Sequence, residues 1–139
     1  MYNSTLTLFN YHEGSGEWYT TVFNDTDLIE AKAASQSTHG TTNGDAVEII
    51  IHTEADRSVN GKQYLGPKAY ARCAEPGAYF TFTLEKDFLI VGDHGSDEPL
   101  ADDDDIGLYH SMNDEYDDVY MVTSATFFSL IPHFEIGGK

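Results

Sequence analysis

Residues 2–23, YNSTLTLFNYHEGSGEWYTTVF, decide the predicted fold of this chain. In residues 2–11 the apolar side chains of Leu6 and Leu8 alternate with threonines, which is the two-residue period of a β-strand. The sequence HEGSG then predicts a turn, and residues 17–23 return to the same period. The stretch is therefore predicted to form a β-hairpin.

Further strands are predicted outward from this hairpin. Residues 27–31 either extend its second strand or begin a third. Residues 47–53 contain three consecutive isoleucines, which predicts a central strand buried on both faces. A second hairpin is predicted from residues 79–84 and 88–91, joined by the turn Glu-Lys-Asp. The remaining predicted strands are residues 62–65, 119–123, 127–131 and 133–136.

Two short helices complete the prediction. Pro67 suits the first turn of a helix over residues 68–74, and Asp105 can cap a second helix over residues 106–112. Residues 1–139 are thus predicted to be a single, mainly β domain, a small antiparallel β-barrel or sandwich with one or two short helices. Its long polar loops are residues 32–45 and 92–105.

The charge of the chain limits its partners. Seven Lys and Arg residues oppose 24 Asp and Glu residues, a formal net charge of −17. Such a surface repels phosphate, which argues against tight nucleic-acid binding and against anionic membranes. A single cysteine, Cys73, allows no intrachain disulfide, and we see neither a signal peptide nor an apolar membrane span. These features predict synthesis in the cytosol and no membrane association.

Motifs that carry chemistry are missing from the sequence. The run Asp102–Asp105 does not fit the EF-hand pattern, and the six histidines and Cys73 show no zinc-site spacing. Neither a Gly-x-Ser-x-Gly nucleophile elbow nor a phosphate-binding loop is present. We therefore predict that the protein is not an enzyme and that it has no catalytic residue, no resident metal and no cofactor.

Two other classes of protein stay open at this stage. One is a carbohydrate- or calcium-binding β-sandwich that uses Trp18, the nine tyrosines and the run Asp102–Asp105. The other is a hydrolase whose site is assembled in space from residues distant in the sequence. A calcium-dependent thermal shift would favour the first class, and turnover of a substrate would favour the second.

Several stretches resemble one known family. The pattern TLEKDFLIVGD at 83–93, VYMVTS at 119–124, IPHFEIGGK at 131–139 and the opening YNSTLTLFN at 2–10 with the Trp18 strand carry the resemblance. The chain is similar there to small structural proteins of tailed bacteriophages, often called minor capsid or head–tail connector proteins. The resemblance covers most of the chain through strand and turn patterns.

This resemblance implies a role in the virion neck. It implies a small β-barrel decorated with loops that acts as a head-closure (stopper) subunit in a homo-oligomeric ring, expected to be a hexamer. The partners are then the portal or adaptor protein above and the tail terminator or tube protein below, with genomic DNA close by in the channel. A tail terminator of the same neck is the alternative, and the chain would be made in the bacterial host cytoplasm.

The two long polar loops are the predicted places of contact between subunits. Loops on a rigid barrel are suited to contacts because they can order when they dock. The predicted assembly-contact residues are Ser37, His39, Asn43, Asp93, Asp97, Asp102, Asp103 and Asp104.

Overall fold

A computed structural model describes residues 4–30, 46–102 and 106–139, and the structural statements below concern these residues. They form nine β-strands, two α-helices and one short 3₁₀ turn. The strands are β1 (Ser4–His12), β2 (Glu17–Glu30), β3 (Val47–His52), β4 (Gln63–Tyr64), β5 (Tyr79–Phe80), β6 (Phe88–Val91), β7 (Leu100–Ala101), β8 (Val119–Phe128) and β9 (His133–Gly138). The helices are α1 (Pro67–Arg72) and α2 (Leu108–Glu115).

Six of the strands close into an antiparallel barrel. Their order is β1-β6-β8-β9-β3-β2, and β2 pairs back onto β1 to complete the circle. The mainly β prediction is confirmed, and the barrel is the form that the chain adopts. The short β7 adds to the start of β2, and β4 and β5 form a separate parallel pair.

The first hairpin is confirmed and its second strand is longer than residues 17–23. β2 pairs with β1 from Glu17 to Thr26 and with β3 from Thr26 to Glu30, so residues 27–30 extend this strand. The register with β1 shifts between Ser4 and Leu6, and Asp25 has a positive φ of 56°. A bulge of this kind bends a strand, which lets β2 pass from one neighbour to the other.

Alternation along the strands creates two apolar clusters. Leu6 and Leu8 point into the barrel core, which also contains Ile49, Phe80 and Ile136. Phe9 points outward into a second cluster, the outer core, which α2 covers. The members of the outer core are Phe9, Trp18, Phe88, Ile90 and Val119, with Leu108, Tyr109 and Met112 packed against them.

The expectation that residues 47–53 are buried on both faces is wrong. Ile49 and Ile51 are buried, but Ile50 is only partly buried, and Glu48 and His52 are exposed. β3 is nevertheless central, because it lies between β2 and β9. It has one core face, as expected for a barrel strand whose other face meets solvent.

The predicted second hairpin is also wrong. Residues 79–80 form β5, which pairs in parallel with β4, while β6 pairs with β1 and β8. Leu84, which would share a face with the buried Phe80 and Phe82 in a strand over residues 79–84, is 50% exposed. The predicted strand at residues 127–131 does not form either, since β8 continues to Phe128 and a turn follows.

Both predicted helices exist with shifted boundaries. α1 begins at Pro67, as its turn chemistry predicts. α2 begins at Leu108, two residues later than predicted, and the Asp102 carboxylate accepts the Leu108 backbone N–H at 2.8 Å. The predicted cap, Asp105, lies outside the described residues. None of the helices in the described part of the chain is long and apolar enough to span a bilayer.

Candidate functional site

The polar loop at residues 92–102 lies flat against the barrel wall. The Thr7 hydroxyl accepts the His94 backbone N–H at 2.8 Å, and the Thr20 hydroxyl accepts the Ser96 N–H at 2.8 Å. Both threonines are buried by this loop. Strand hydroxyls therefore satisfy the backbone donors of the loop and fix its course over β1 and β2.

Asp102 ends this loop and joins three elements. Its Oδ1 accepts the Trp18 indole N–H at 3.0 Å and the Leu108 backbone N–H at 2.8 Å. Among the predicted assembly contacts, Asp102 thus has a carboxylate oxygen already engaged by β2 and α2. This contact also explains why α2 starts where it does, because a carboxylate at a helix N-terminus satisfies a free N–H group.

An open cleft of about 330 Å³ lies between this loop, β2 and the turn before β4. Asp93 and Asp97, two of the predicted contact residues, both line it. The structure therefore brings together two side chains that were singled out from the loop sequence. Ser37, His39, Asn43, Asp103 and Asp104 lie outside the described residues.

Lys62 is the residue of this cleft that sequence reasoning missed. Its ammonium group donates to the Thr20 carbonyl at 2.8 Å and to the Thr21 hydroxyl at 3.1 Å. Burial lowers the pKa of Lys62 because the charged form loses hydration. The Asn60-Gly61 turn was readable in the sequence, but the direction of the lysine depends on its contact with β2.

Close packing of the loop against β2 requires Gly95. A Cβ atom at this position would lie 2.7 Å from Cγ2 of Val22. The Gly95 backbone N–H also donates to the Asp93 carboxylate at 3.0 Å, which holds that side chain in a tight turn. The wall of the cleft is thus shaped by a glycine and an aspartate two residues apart.

The cleft suits polar contact more than proton-transfer chemistry. Neither His nor Cys is among the described residues that line it. The Ser96 hydroxyl, its nearest equivalent of a nucleophile, donates to the Glu98 carbonyl at 2.7 Å. Two carboxylates beside one fixed ammonium group offer places for a basic side chain of another protein.

A second polar site is fully buried around Asp87. Its Oδ2 accepts the Asn10 side-chain amide and the Thr83 backbone N–H, both at 2.8 Å, and its Oδ1 accepts the Tyr11 N–H at 3.0 Å. Burial raises the pKa of Asp87 to about 6, and the three donors oppose the rise. The site ties the turn at residues 83–87 to β1.

Hydrogen bonds at its two ring nitrogens fix His12 in one tautomer. The Ser15 backbone N–H donates to Nδ1 of His12 at 3.2 Å, so Nδ1 carries a lone pair. The proton then lies on Nε2, which donates to the Cys73 carbonyl at 3.0 Å. Tyr70 packs edge-on against this imidazole, with ring centroids 5.5 Å apart. We interpret His12 as a structural link between the first hairpin and the end of α1.

The carbohydrate- or calcium-binding alternative depends on an exposed Trp18 and on a cluster of metal ligands, and the structure bears on both. Trp18, the proposed platform for a sugar ring, is only 2% exposed and belongs to the outer core. That part of the carbohydrate-binding hypothesis is wrong, because stacking requires an exposed ring face. Across residues 4–30, 46–102 and 106–139, no group of three or more His, Cys, Asp or Glu side chains is arranged to hold a metal ion.

Comparison with known proteins gives a family and no assigned activity. A family model described as "Family of unknown function (DUF6751)" matches residues 1–139, and the chain therefore belongs to that family. No curated protein and no solved structure matches it.

Proposed function

We propose that this member of the DUF6751 family is a structural protein of a tailed-bacteriophage virion, the head-closure (stopper) subunit of the neck. The observation that carries the proposal is a closed, strongly acidic barrel with a polar loop fixed to its wall. In this role, copies form a ring, expected to be a hexamer, between the portal or adaptor protein and the tail terminator or tube protein. The chain would be made in the host cytoplasm and end in the virion.

The closed barrel supports a role as a ring subunit. Strand edges in an open sheet invite pairing with other chains, and closure of the six-stranded barrel leaves such edges to the short strands β4, β5 and β7. Copies can then be placed side by side without uncontrolled sheet growth. Contacts with neighbouring proteins are then made by loops and turns on a rigid scaffold, and such contacts can be specific for one neighbour.

The acidic net charge of the chain supports a position in a ring through which DNA passes. Proteins that hold DNA do so mainly with Lys and Arg on phosphates, and this chain has seven such residues against 24 acids. A ring with this surface would not retain the genome as it passes. A fixed acidic wall is therefore compatible with a channel that opens and closes around DNA.

The cleft supports contact with a basic partner. Asp93 and Asp97 line it and are exposed, while the Lys62 ammonium group is turned toward Thr20 and Thr21. A Lys or Arg from the next ring could approach the two carboxylates. Charged pairs at an interface rim contribute mainly to the rate and specificity of association.

A tail terminator of the same neck is the second candidate. The closed barrel and the acidic charge favour both roles equally, and the two differ in where the ring lies. A terminator would sit on the tail tube, whereas a head-closure protein would lie directly below the portal or its adaptor.

Cryo-electron microscopy of the parent particle tests the proposal. We expect density for this barrel in a ring between the portal and the tail. Light scattering of the isolated chain should show mostly monomer at low salt, because charges of −17 repel each other when screening is weak. Finding the chain on the capsid exterior, at the tail tip or absent from particles would refute the neck assignment.

A further inference from the structure

The last residue of β8 and the turn that joins it to β9, residues 128–132, project apolar side chains into solvent, and we call this segment the tip. Leu130 is 95% exposed, Ile131 is 69% exposed and Phe128 is 42% exposed. Single exposed apolar residues are ordinary on protein surfaces. Three within four positions of this segment are a local concentration of apolar surface, and such surfaces often mark interaction sites.

The tip is held in a defined shape. The Pro132 carbonyl accepts the Thr53 backbone N–H at 3.2 Å, which attaches the tip to the end of β3. The ring of Phe128 stacks on His133, with centroids 5.1 Å apart and an interplanar angle of 15°. The exposed side chains of Leu130 and Ile131 therefore extend from a supported turn.

His133 adds a second support from below. Its Nδ1 lies 2.6 Å from the Ile131 carbonyl and its Nε2 lies 3.0 Å from the Glu135 carboxylate. Both partners can only accept, so the two contacts are made together when the imidazole carries both protons. These contacts raise the pKa of His133 and favour that form. His52, whose ring lies 6.3 Å away and which pairs with Asp27 at 3.6 Å, faces the same imidazole.

The charges beside the tip are mostly acidic. Glu54 and Asp56 are exposed in the segment that follows β3, and Glu135 lies beside His133. Hydrogen bonds from Ser58 lower the pKa of Asp56, which keeps it ionised. The exposed Arg57 lies in the same segment, with its guanidinium carbon 4.8 Å from the centre of the Phe127 ring.

We propose that the tip inserts its apolar side chains into an apolar pocket with a basic rim on a protein other than this chain. Charge complementarity selects this partner, because the acids beside the tip would be matched by Lys or Arg around the pocket. The tip of a second copy would present the same acids, so a tip-to-tip contact would bring like charges together. The inference rests on the proposed function only for the partner's location, an adjoining ring of the neck.

Photochemical cross-linking from the tip tests this inference. The full-length chain is produced from its native genome with p-benzoylphenylalanine in place of Leu130, and irradiated products are identified by mass spectrometry. We expect one cross-linked protein, different from this chain, whose linked peptide contains apolar residues next to Lys or Arg. Links between two copies, links to lipid, or no link from the folded chain would overturn the inference.

The same experiment separates this inference from the neck proposal. A specific link to a protein that is not a virion component would refute the neck and leave the tip as a docking element. A chain located in the neck ring that gives no link from position 130 would refute the tip and leave the neck.

A matched pair of substitutions adds a quantitative test. With the cross-linked protein purified, Leu130→Ser together with Ile131→Ser should weaken binding about a hundredfold, because two apolar side chains lose their burial. Leu84→Ser removes an apolar side chain that is 50% exposed in a different turn and should change binding less than about twofold. Circular dichroism confirms that each variant is folded. Equal binding by the folded double variant, or an equal loss with Leu84→Ser, would contradict the inference.

Discussion

Two turns of this barrel differ in what they bury: one encloses a polar side chain, and the other exposes apolar ones. The turn at residues 83–87 buries the carboxylate of Asp87 under three N–H donors, while the tip at residues 128–132 exposes Leu130 and Ile131. The first arrangement orders the turn, because a buried polar group whose hydrogen-bond partners are all satisfied makes the chain around it rigid. The second gives the fold little, because exposed apolar groups gain nothing from folding. The difference separates a site made for stability from one available for binding.

The substitution with the largest expected effect on stability disrupts the first of these turns. Asp87→Ala leaves the Tyr11 and Thr83 N–H groups and the Asn10 amide without their acceptor in a buried site. We expect a loss of about 3–5 kcal/mol in the free energy of unfolding, measured by urea denaturation. Asp97→Ala, which removes an exposed acid of the cleft, should change stability by less than about 0.5 kcal/mol. A similar small change in both variants would show that the Asp87 hydrogen bonds do not hold the turn.

The next comparison is between substitution of an apolar residue by alanine inside the barrel core and the same substitution at the tip. Ile51→Ala removes a buried side chain from the barrel core and should cost about 2–5 kcal/mol, as should Ile49→Ala. Leu130→Ala should change stability by less than about 0.5 kcal/mol, because its side chain is solvated already. Thermal and urea unfolding measure the difference. If both core variants lose less than about 1 kcal/mol, β3 is peripheral.

The pH dependence of stability gives a further test of the turn that contains Asp87. Burial raises its pKa to about 6 from an ordinary value of 3.8, so between these values the folded state binds more protons than the unfolded state. The contribution of this group should therefore fall as pH rises from about 4 to about 6. Self-repulsion of the acidic surface acts in the same direction. The difference in urea midpoint between the wild type and Asp87→Asn isolates the group, and a constant difference across this window would contradict the shift.

The smallest expected effect concerns the support of the tip. The pKa of His133 is raised above 6.5, first by its hydrogen bond to Glu135 and then by that to the Ile131 carbonyl. Its stabilising contribution is complete below 6.5 and is lost as pH rises through the raised value. We expect it to be below about 1 kcal/mol, as for partly exposed ion pairs. NMR titration should show that Glu135→Gln lowers the His133 pKa, and an unchanged value would refute this pairing.

Local patterns in the sequence predicted the elements well. The first hairpin follows from alternation around HEGSG, and Pro67 marks the start of α1. Apart from the strand predicted at residues 127–131, the main failures are pairings between distant residues. Residues 83–87 do form a turn, but β6 finds its partners in β1 and β8, and no local signal specifies that choice. Likewise, β3 buries one face because its neighbours close into a barrel, which three consecutive isoleucines cannot reveal.

For the candidate surfaces too, local sequence identified some residues and missed those whose placement depends on distant contacts. Asp93 and Asp97 were identified from a polar loop, and the structure places both on one cleft. Lys62 was missed because its inward direction depends on hydrogen bonds to β2. The tip was missed because an apolar run at residues 127–131 favours a strand, and only the length of β8 shows that the run passes into a turn.

The hydrogen bond between Trp18 and Asp102 gives the molecule an internal optical reporter. Trp18 is the sole tryptophan, it is almost completely shielded from water, and its indole N–H points at the residue where the acidic run begins. An indole in such an environment emits at shorter wavelength than one in water, and its emission responds to loss of a charged acceptor. Any event that draws Asp102 away from the barrel would change the intrinsic fluorescence of the unlabelled protein.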